Sequence, residues 1–244
     1  MPAGLDGNPD PLRTPARAAV IAAVVDRVVA LPGGRRAVVA VDGIDGSGKS
    51  TFADELVAAL AARPDFDREL VRSTVDSFHN PRSVRHARGP GSPTGFYRDS
   101  TNLDALVTEL LEPFRAGEPF RTAVFDEPFD SPVDDVPRTA TADAVLVFDG
   151  IFVHRRELRD RWDVSVFLDG LDRVTAARVE RVVAACPGDP LGDLLTMARW
   201  WVLLRRYVVG QRLYLDECDP AAAADIVIDN DDLAAPVVLR DGPR

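Results

Sequence analysis

The segment that most constrains the fold is Gly43–Ser50, which matches the G-x-x-x-x-G-K-[ST] pattern of a phosphate-binding loop. The apolar run Val38–Val41 before it predicts a buried strand, and residues 51–62 after it predict a helix. In such a loop, backbone N–H groups and the N-terminus of the following helix bind phosphate. The motif assigns Lys49 to the β- and γ-phosphates and the Ser50 hydroxyl to Mg²⁺.

The sequence therefore predicts a nucleotide site at this loop. The alternative is a glycine-rich turn that matches the pattern by chance, which the flanking strand and helix disfavour. The residues predicted to contact the nucleotide are Gly43, Asp45, Gly46, Ser47, Gly48, Lys49, Ser50 and Thr51.

Composition and charge narrow the class of protein. The 244 residues are 46% hydrophobic, enough for one large α/β domain or two small ones. The formal net charge of −10 disfavours broad binding to nucleic acid or anionic membranes. No run approaches the ~18 apolar residues of a membrane span, and the N-terminus lacks the basic region of a signal peptide. The two cysteines, Cys186 and Cys218, are far apart in sequence, which predicts a protein without disulfides in a reducing compartment. Together with the lack of a membrane span and of a signal peptide, this predicts a cytoplasmic protein.

Strand-like and helix-like segments alternate along most of the chain. Further strands are predicted at 69–75, 121–125, 144–148, 164–168 and 226–228, and helices at 16–31, 102–112 (ended by Pro113), 172–185 and 191–215. Most of these strands are continuous apolar runs, which is typical of a parallel sheet covered on both faces. We predict an α/β fold of the P-loop NTPase type, a three-layer sandwich with helices on both faces of a mostly parallel sheet. Residues 1–15 are predicted to be disordered and 16–244 to form one domain.

Aspartates follow several of the predicted strands. Because ligands bind beyond the carboxyl ends of parallel strands, these side chains are candidates for chemistry. Asp76 is the candidate general base, although it would also serve as a turn residue. Asp149 is the candidate Mg²⁺ residue, acting through a bound water, and Asp169 has almost the same local pattern, so the choice between them stays open.

Basic residues that would neutralise phosphate occur in separate places. Arg178 and Arg181 share one face of a predicted helix and predict a lid near residues 178–192, with a solvated helix face as the alternative. Arg205 and Arg206 are further candidates for the same role. A basic group that would attract a phosphorylated ligand lies in the Pro- and Gly-rich segment 79–98 and comprises Arg82, Arg85, His86 and Arg88.

Taken in order, these segments resemble the uridine kinase family, which also includes phosphoribulokinases and bacterial-type pantothenate kinases. The loop Gly43–Ser50 is the most specific part, and the segment Asp76–His79 is similar to the family's Asp-Ser-Phe-Tyr, whose Asp is the catalytic base. Val147–Ile151 resembles the family segment whose acid helps to hold Mg²⁺. The similar segments Phe96–Ser100 and Val124–Asp126 carry ribose- and nucleobase-contacting positions. The substrate-binding residues that this resemblance implies are Asp76, His79, Tyr97, Asp99, Phe125 and Asp126.

The chain departs from the family pattern where His79 and Phe125 replace Tyr and where Asp149 replaces Glu. The resemblance implies an ATP- and Mg²⁺-dependent kinase for the 5′-hydroxyl of uridine or cytidine. The catalytic residues that it implies are Lys49, Asp76, Arg178 and Arg181.

Other interpretations stay open. The same mechanism would serve another riboside, pantothenate or a sugar phosphate, and a nucleotide-binding regulatory protein is the alternative of another class. The expected partner is a nucleoside-like small molecule rather than nucleic acid or a membrane, and analogy with the family suggests a homo-oligomer.

Overall fold

The computed structural model describes residues 13–242 except 171, 172, 175, 176, 178, 179, 182, 183, 187 and 189. Its strands are β1 (Ala37–Gly43), β2 (Leu70–Thr74), β3 (Phe125–Asp126), β4 (Ser131–Pro132), β5 (Val145–Gly150), β6 (Val164–Asp169), β7 (Ile226–Asp229) and β8 (Val237–Asp241). Its longer helices are α1 (Pro15–Val29), α2 (Lys49–Ala61), α4 (Pro93–Asp99) and α7 (Pro190–Cys218), and the shorter ones are α3 (Arg82–Arg85), α5 (Leu103–Ala105), α6 (Glu112–Ala116) and α8 (Pro220–Ala223).

Among these residues the main sheet has six strands in the order β2-β5-β1-β6-β7-β8. All neighbouring pairs are parallel except β7 and β8 at one edge, which confirms the mostly parallel sheet. Strands β1 and β5 are buried along their whole lengths, as their continuous apolar sequences predict. The phosphate-binding loop thus follows a central strand of the sheet.

Helical elements cover both faces of the sheet. Because side chains alternate along a strand, Val39 and Val41 of β1 pack into a cluster with residues of α1 and α2. Val38 and Ala40 pack on the other side with residues of the stretch between α5 and α6. The three-layer arrangement predicted from the sequence is therefore confirmed.

The predicted strand at 121–125 is wrong for most of its length. Only Phe125–Asp126 forms a strand, and it pairs with Ser131–Pro132 in an antiparallel ribbon separate from the main sheet. Upstream, the backbone N–H groups of Thr122 and Ala123 donate to the Asp135 carboxylate instead of to a neighbouring strand. Asp126 consequently does not lie at the edge of the main sheet.

One predicted helix end also differs. Pro113 does not end its helix, because the helical backbone continues through α6 to Ala116. A π-helical turn, Leu106–Leu111, joins α5 to α6. At the N-terminus, residues 1–12 lie outside the described part of the chain. Thr14 caps α1 and Pro15 begins it, as a Thr-Pro pair at a helix start predicts. In the described part of the chain, no helix has the length and apolar character to cross a bilayer.

Candidate active site

The phosphate-binding loop joins β1 to α2 and is shaped by its glycines. Gly48 has a φ of +93° at the N-cap of α2, a left-handed conformation that favours glycine. At Gly43, a Cβ would lie 2.5 Å from Ser47 Oγ and 2.7 Å from the Leu168 carbonyl oxygen. Because α2 begins at Lys49, the N–H groups of its first turn lie at the loop and suit an anionic ligand.

Lys49 is held within the loop and is 8% exposed. Its Nζ donates a hydrogen bond to the Ile44 carbonyl oxygen at 2.8 Å. Burial lowers the pKa of Lys49, and the nearby carboxylates, Asp45 and Asp42 foremost, oppose that shift. The predicted phosphate-binding ammonium is therefore in position for a charge-assisted hydrogen bond to an anionic oxygen.

Ser50 and Asp149 come together from different elements. Ser50 Oγ on α2 donates to Asp149 Oδ2 on β5 at 2.7 Å, and Arg72 Nη2 on β2 lies 2.6 Å from Asp149 Oδ1. Asp149 is 1% exposed, so these partners offset the cost of burying its charge. Asp169 ends β6, pairs with Asp229 of β7 and does not line the cavity described below. The geometry thus favours Asp149 over Asp169 as the Mg²⁺ residue.

The donor set fits Mg²⁺, which takes oxygen ligands and usually keeps several waters. Ser50 and Asp149 supply a hydroxyl and a carboxylate that already contact each other. Within the part of the chain that the structure describes, no group of three or more His, Cys, Asp or Glu side chains forms a metal cluster. Nucleotide phosphates and water would therefore have to complete the coordination at Ser50 and Asp149.

A cavity of about 700 Å³ opens beside the loop at the carboxyl ends of β1, β2 and β5. Its size is in the range of small-molecule sites. The predicted site residues that line it are Asp45, Gly46, Gly48, Lys49, Ser50, Thr51, Asp76, His79 and Asp149. Gly43 and Ser47 belong to the loop but not to the cavity wall, since Ser47 is fully buried and Gly43 packs against Leu168.

Asp76 lies in a 3₁₀ turn, Val75–Phe78, directly after β2. Its side chain is exposed at the cavity, yet the surrounding walls partly remove its carboxylate from bulk water. That desolvation raises the pKa of Asp76, with an opposing effect from His79 and a reinforcing one from Asp149. A carboxylate with a raised pKa that faces a substrate-sized cavity suits a general base.

The structure does not bring four predicted substrate-binding residues to this cavity. Tyr97 faces the core, where its hydroxyl lies 3.2 Å from Cys218 Sγ, because the Phe96 side of α4 lines the cavity instead. Asp99 accepts a hydrogen bond from Arg88 Nε at 2.8 Å. The substrate contacts that the resemblance assigns to Tyr97 and Asp99 stay predictions.

The other two residues follow the ribbon of β3 and β4. Phe125 is buried and lines a separate, smaller cavity, and the Asp126 carboxylate accepts from the Phe129 N–H in a turn. Their neighbour Glu127 lines the main cavity. The substrate contacts that the resemblance assigns to Phe125 and Asp126 stay predictions.

The predicted lid is only partly described. Arg178 lies outside the described residues, and Arg181 is exposed and not part of the cavity wall. The closing role assigned to these two arginines stays a prediction.

Sequence reasoning missed a buried polar network beneath the loop. Asp42, the last residue before Gly43, accepts from the Gly43 N–H at 2.7 Å and lies 2.6 Å from His154 Nδ1. The Tyr214 hydroxyl of α7 donates to the same carboxylate. The one local signal was an aspartate inside an otherwise apolar strand. One turn earlier on α7, Gln211 Oε1 accepts from the Asp45 N–H at 2.5 Å, which ties the helix to the loop.

Two basic residues that the sequence named as candidates also line the cavity. Arg85 of α3 and Arg206 of α7 are both buried, and both line the cavity. The sequence marked them as members of basic groups but not as buried.

Comparisons with known proteins agree with this geometry. The sequence model of the "Phosphoribulokinase / Uridine kinase family" matches residues 38–184, more than half of the chain. The chain is 25% identical over 195 residues to uridine-cytidine kinase A of Dictyostelium discoideum, covering 79% of this chain but 38% of that protein. The chain thus spans well under half the length of this relative.

Solved structures share the fold. A possible uridine kinase from Bacillus stearothermophilus superposes with a TM-score of 0.64 at 21% identity, covering 86% of this chain and 97% of that chain. D-glycerate 3-kinase from Cryptococcus neoformans gives 0.52 at 14% identity, covering 88% and 94%. At these identities the likeness concerns the fold alone.

Proposed function

The chain belongs to the phosphoribulokinase / uridine kinase family, and we propose that it is an ATP-dependent kinase acting on a hydroxyl group of a small molecule. The observation that carries the proposal is that Lys49, the Ser50–Asp149 pair and Asp76 line one cavity. Phosphoryl transfer needs a phosphate cradle, a metal-holding acid and a base for the accepting hydroxyl. These residues supply one of each.

In this mechanism the loop N–H groups and Lys49 bind the β- and γ-phosphates of ATP. Ser50 and Asp149 would hold Mg²⁺, which would neutralise charge on those phosphates. Asp76 accepts the proton of the acceptor hydroxyl as its oxygen bonds to the γ-phosphorus. The bond to the β-phosphate oxygen breaks, and ADP leaves together with the phosphorylated acceptor.

The acceptor is the less constrained part of the proposal. The similarity to uridine-cytidine kinase A of Dictyostelium supports the 5′-hydroxyl of uridine or cytidine as a first acceptor to test. Of the residues that the family resemblance assigns to the substrate, Asp76 and His79 line the cavity, whereas Tyr97 and Phe125 do not. Other ribosides, pantothenate and sugar phosphates therefore belong in the same panel.

The experiment measures ADP release from ATP–Mg²⁺ in the presence of each acceptor, with wild-type protein and Asp76→Asn. Because general-base catalysis contributes about 10²- to 10⁴-fold, we expect Asp76→Asn to lower kcat by at least about 100-fold. ATP binding, measured by equilibrium dialysis, should be retained, since Lys49 and the loop are intact. Asp104→Asn on exposed α5 is the matched control and should behave as wild type.

Two outcomes would contradict the proposal. Unchanged turnover in Asp76→Asn would remove Asp76 from the mechanism. Tight ATP binding without stimulation by any acceptor would argue against a kinase and favour the alternative, a nucleotide-binding regulatory protein.

A further inference from the structure

We propose that the acceptor carries an anionic group, a carboxylate or a phosphate monoester, and that Arg206 binds it. This inference rests on the proposed kinase function, because it names the class of acceptor for the same cavity. It makes Arg206 the residue that selects anionic acceptors over neutral ones.

Arg206 lies on α7, is 5% exposed and lines the cavity. Its Nη1 donates to the Pro90 carbonyl oxygen at 2.5 Å. Its Nε is buried and has no hydrogen-bond partner among the described residues. Within the same part of the chain, no carboxylate forms an ion pair with this guanidinium. A buried cation without a counter-charge is costly, so this position calls for an anion.

Arg85 provides an internal comparison in the same cavity wall. It is also buried, at 6% exposed, but its guanidinium is paired with the carboxylates of Glu127 and Asp130. Arg85 thus has two carboxylate ion-pair partners within the protein, whereas the described residues form no ion pair with Arg206. Desolvation lowers the pKa of Arg206 and the charge of Arg85 lowers it further, whereas Tyr207 and Glu127 oppose the shift.

The guanidinium of Arg206 is held in place by aromatic rings. Its Cζ lies 5.8 Å from the centroid of the Phe96 ring and 6.0 Å from that of Tyr207. Close packing of α7 on α4 supports this arrangement, since a Cβ at Gly210 would lie 2.8 Å from Phe96 Cδ1. A fixed, planar and desolvated guanidinium matches the geometry of a carboxylate or phosphate group.

The surroundings of Arg206 place it on the acceptor side. Its contacts to Pro90 and Phe96 lie in the segment 79–98, which follows the candidate base Asp76 directly in sequence. The nucleotide phosphates are expected at the phosphate-binding loop, which lines the cavity with Lys49 and its neighbours. An acceptor that presents its hydroxyl to Asp76 would then reach Arg206 with an anionic end.

The test compares matched neutral and anionic acceptors. The carboxylate arm uses glycerol with glycerate and panthenol with pantothenate; the phosphate arm uses ribose with ribose 5-phosphate and ribulose with ribulose 5-phosphate. Uridine is the neutral nucleoside. Wild-type protein should use the anionic member of at least one pair with a KM at least about 10-fold lower, the factor expected for one charge-assisted hydrogen bond. If the lower KM appears in the carboxylate pairs, the anionic group is a carboxylate; if it appears in the phosphate pairs, the group is a phosphate monoester.

Variants then assign the effect to Arg206. Arg206→Gln should raise the KM for the anionic acceptor about 10- to 100-fold while leaving the KM for ATP within about twofold. Arg206→Lys keeps the charge and should recover part of the loss. Arg212→Gln changes an exposed arginine on the same helix and should leave both KM values unchanged. Thermal unfolding of each variant checks that it is folded. If Arg206→Gln does not fold, the KM values of Arg206→Lys and the wild-type comparison of neutral with anionic acceptors still test the inference.

Several results would overturn the inference. Equal use of neutral and anionic members, or use of uridine alone, contradicts it while the kinase function stands. A rise in the KM for ATP rather than for the acceptor would move Arg206 to the nucleotide. If no acceptor stimulates ADP release in wild-type protein, the proposed function fails and the inference falls with it.

Discussion

Replacing Tyr214 by phenylalanine tests the buried network that links α7 to the phosphate-binding loop. The Tyr214 hydroxyl donates to the Asp42 carboxylate and accepts from the His154 N–H at 3.1 Å. Asp42 is fully buried, and its proximity together with burial raises the pKa of Tyr214. A hydrogen bond to a charged group contributes about 1.5–3 kcal/mol, so we expect Tyr214→Phe to lower the free energy of unfolding by about 2 kcal/mol.

We expect no larger loss of unfolding free energy in Tyr214→Phe, because Asp42 retains the Gly43 N–H and His154 Nδ1 as partners. For a chain of this length, about 2 kcal/mol corresponds to a fall in Tm of about 4–8 °C. The measurements are urea unfolding and calorimetry. Tyr97→Phe is the matched control: its hydroxyl contacts the Cys218 thiol, a neutral and weak partner, so its effect should stay below about 1 kcal/mol. Equal effects of the two variants would refute the reasoning that the Asp42 charge sets the magnitude.

Two further predictions concern the cavity and the loop. His79→Gln removes a group that lowers the pKa of Asp76, so that pKa should rise further. Because the base must be deprotonated, the acid limb of a kcat–pH profile should move to higher pH, and an unmoved limb would contradict this role. Gly43→Ala places a Cβ 2.5 Å from Ser47 Oγ, so the loop must shift; we expect ATP affinity to fall at least about 10-fold, measured by dialysis. Gly33→Ala, with nothing within 4 Å, should bind ATP normally.

Much of the fold and of the nucleotide half of the site could be predicted because the causes are local. The loop needs glycines at strained or crowded positions and a helix that starts at once, so Lys49 and Ser50 can be identified from spacing alone. Continuous apolar strands predicted the parallel sheet for a similarly direct reason, since both of its faces must be covered.

The tertiary structure alone decided which acid meets Ser50. Asp149 and Asp169 both follow apolar strands, and only the strand order, with β5 between β1 and β2, brings Asp149 between Ser50 and Arg72. The buried network was hidden for a related reason. Asp42 is 112 residues from His154 and 172 from Tyr214 in sequence, so no local pattern joins them.

On the acceptor side of the cavity, too, the sequence identified the helices and the tertiary structure decided which of their residues face the cavity. Phe96 and Tyr97, like Arg205 and Arg206, are adjacent residues of the same chemical type, and the sequence offers no ground for choosing between them. Successive residues of an α-helix point about 100° apart, so the packing of α4 and α7 turns Phe96 and Arg206 to the cavity. The sequence by itself determined the phosphate-binding loop, because the conformation of the loop depends on residues within it. Which of two adjacent, chemically similar residues faces the cavity was decided only by the packing of elements that are distant in sequence.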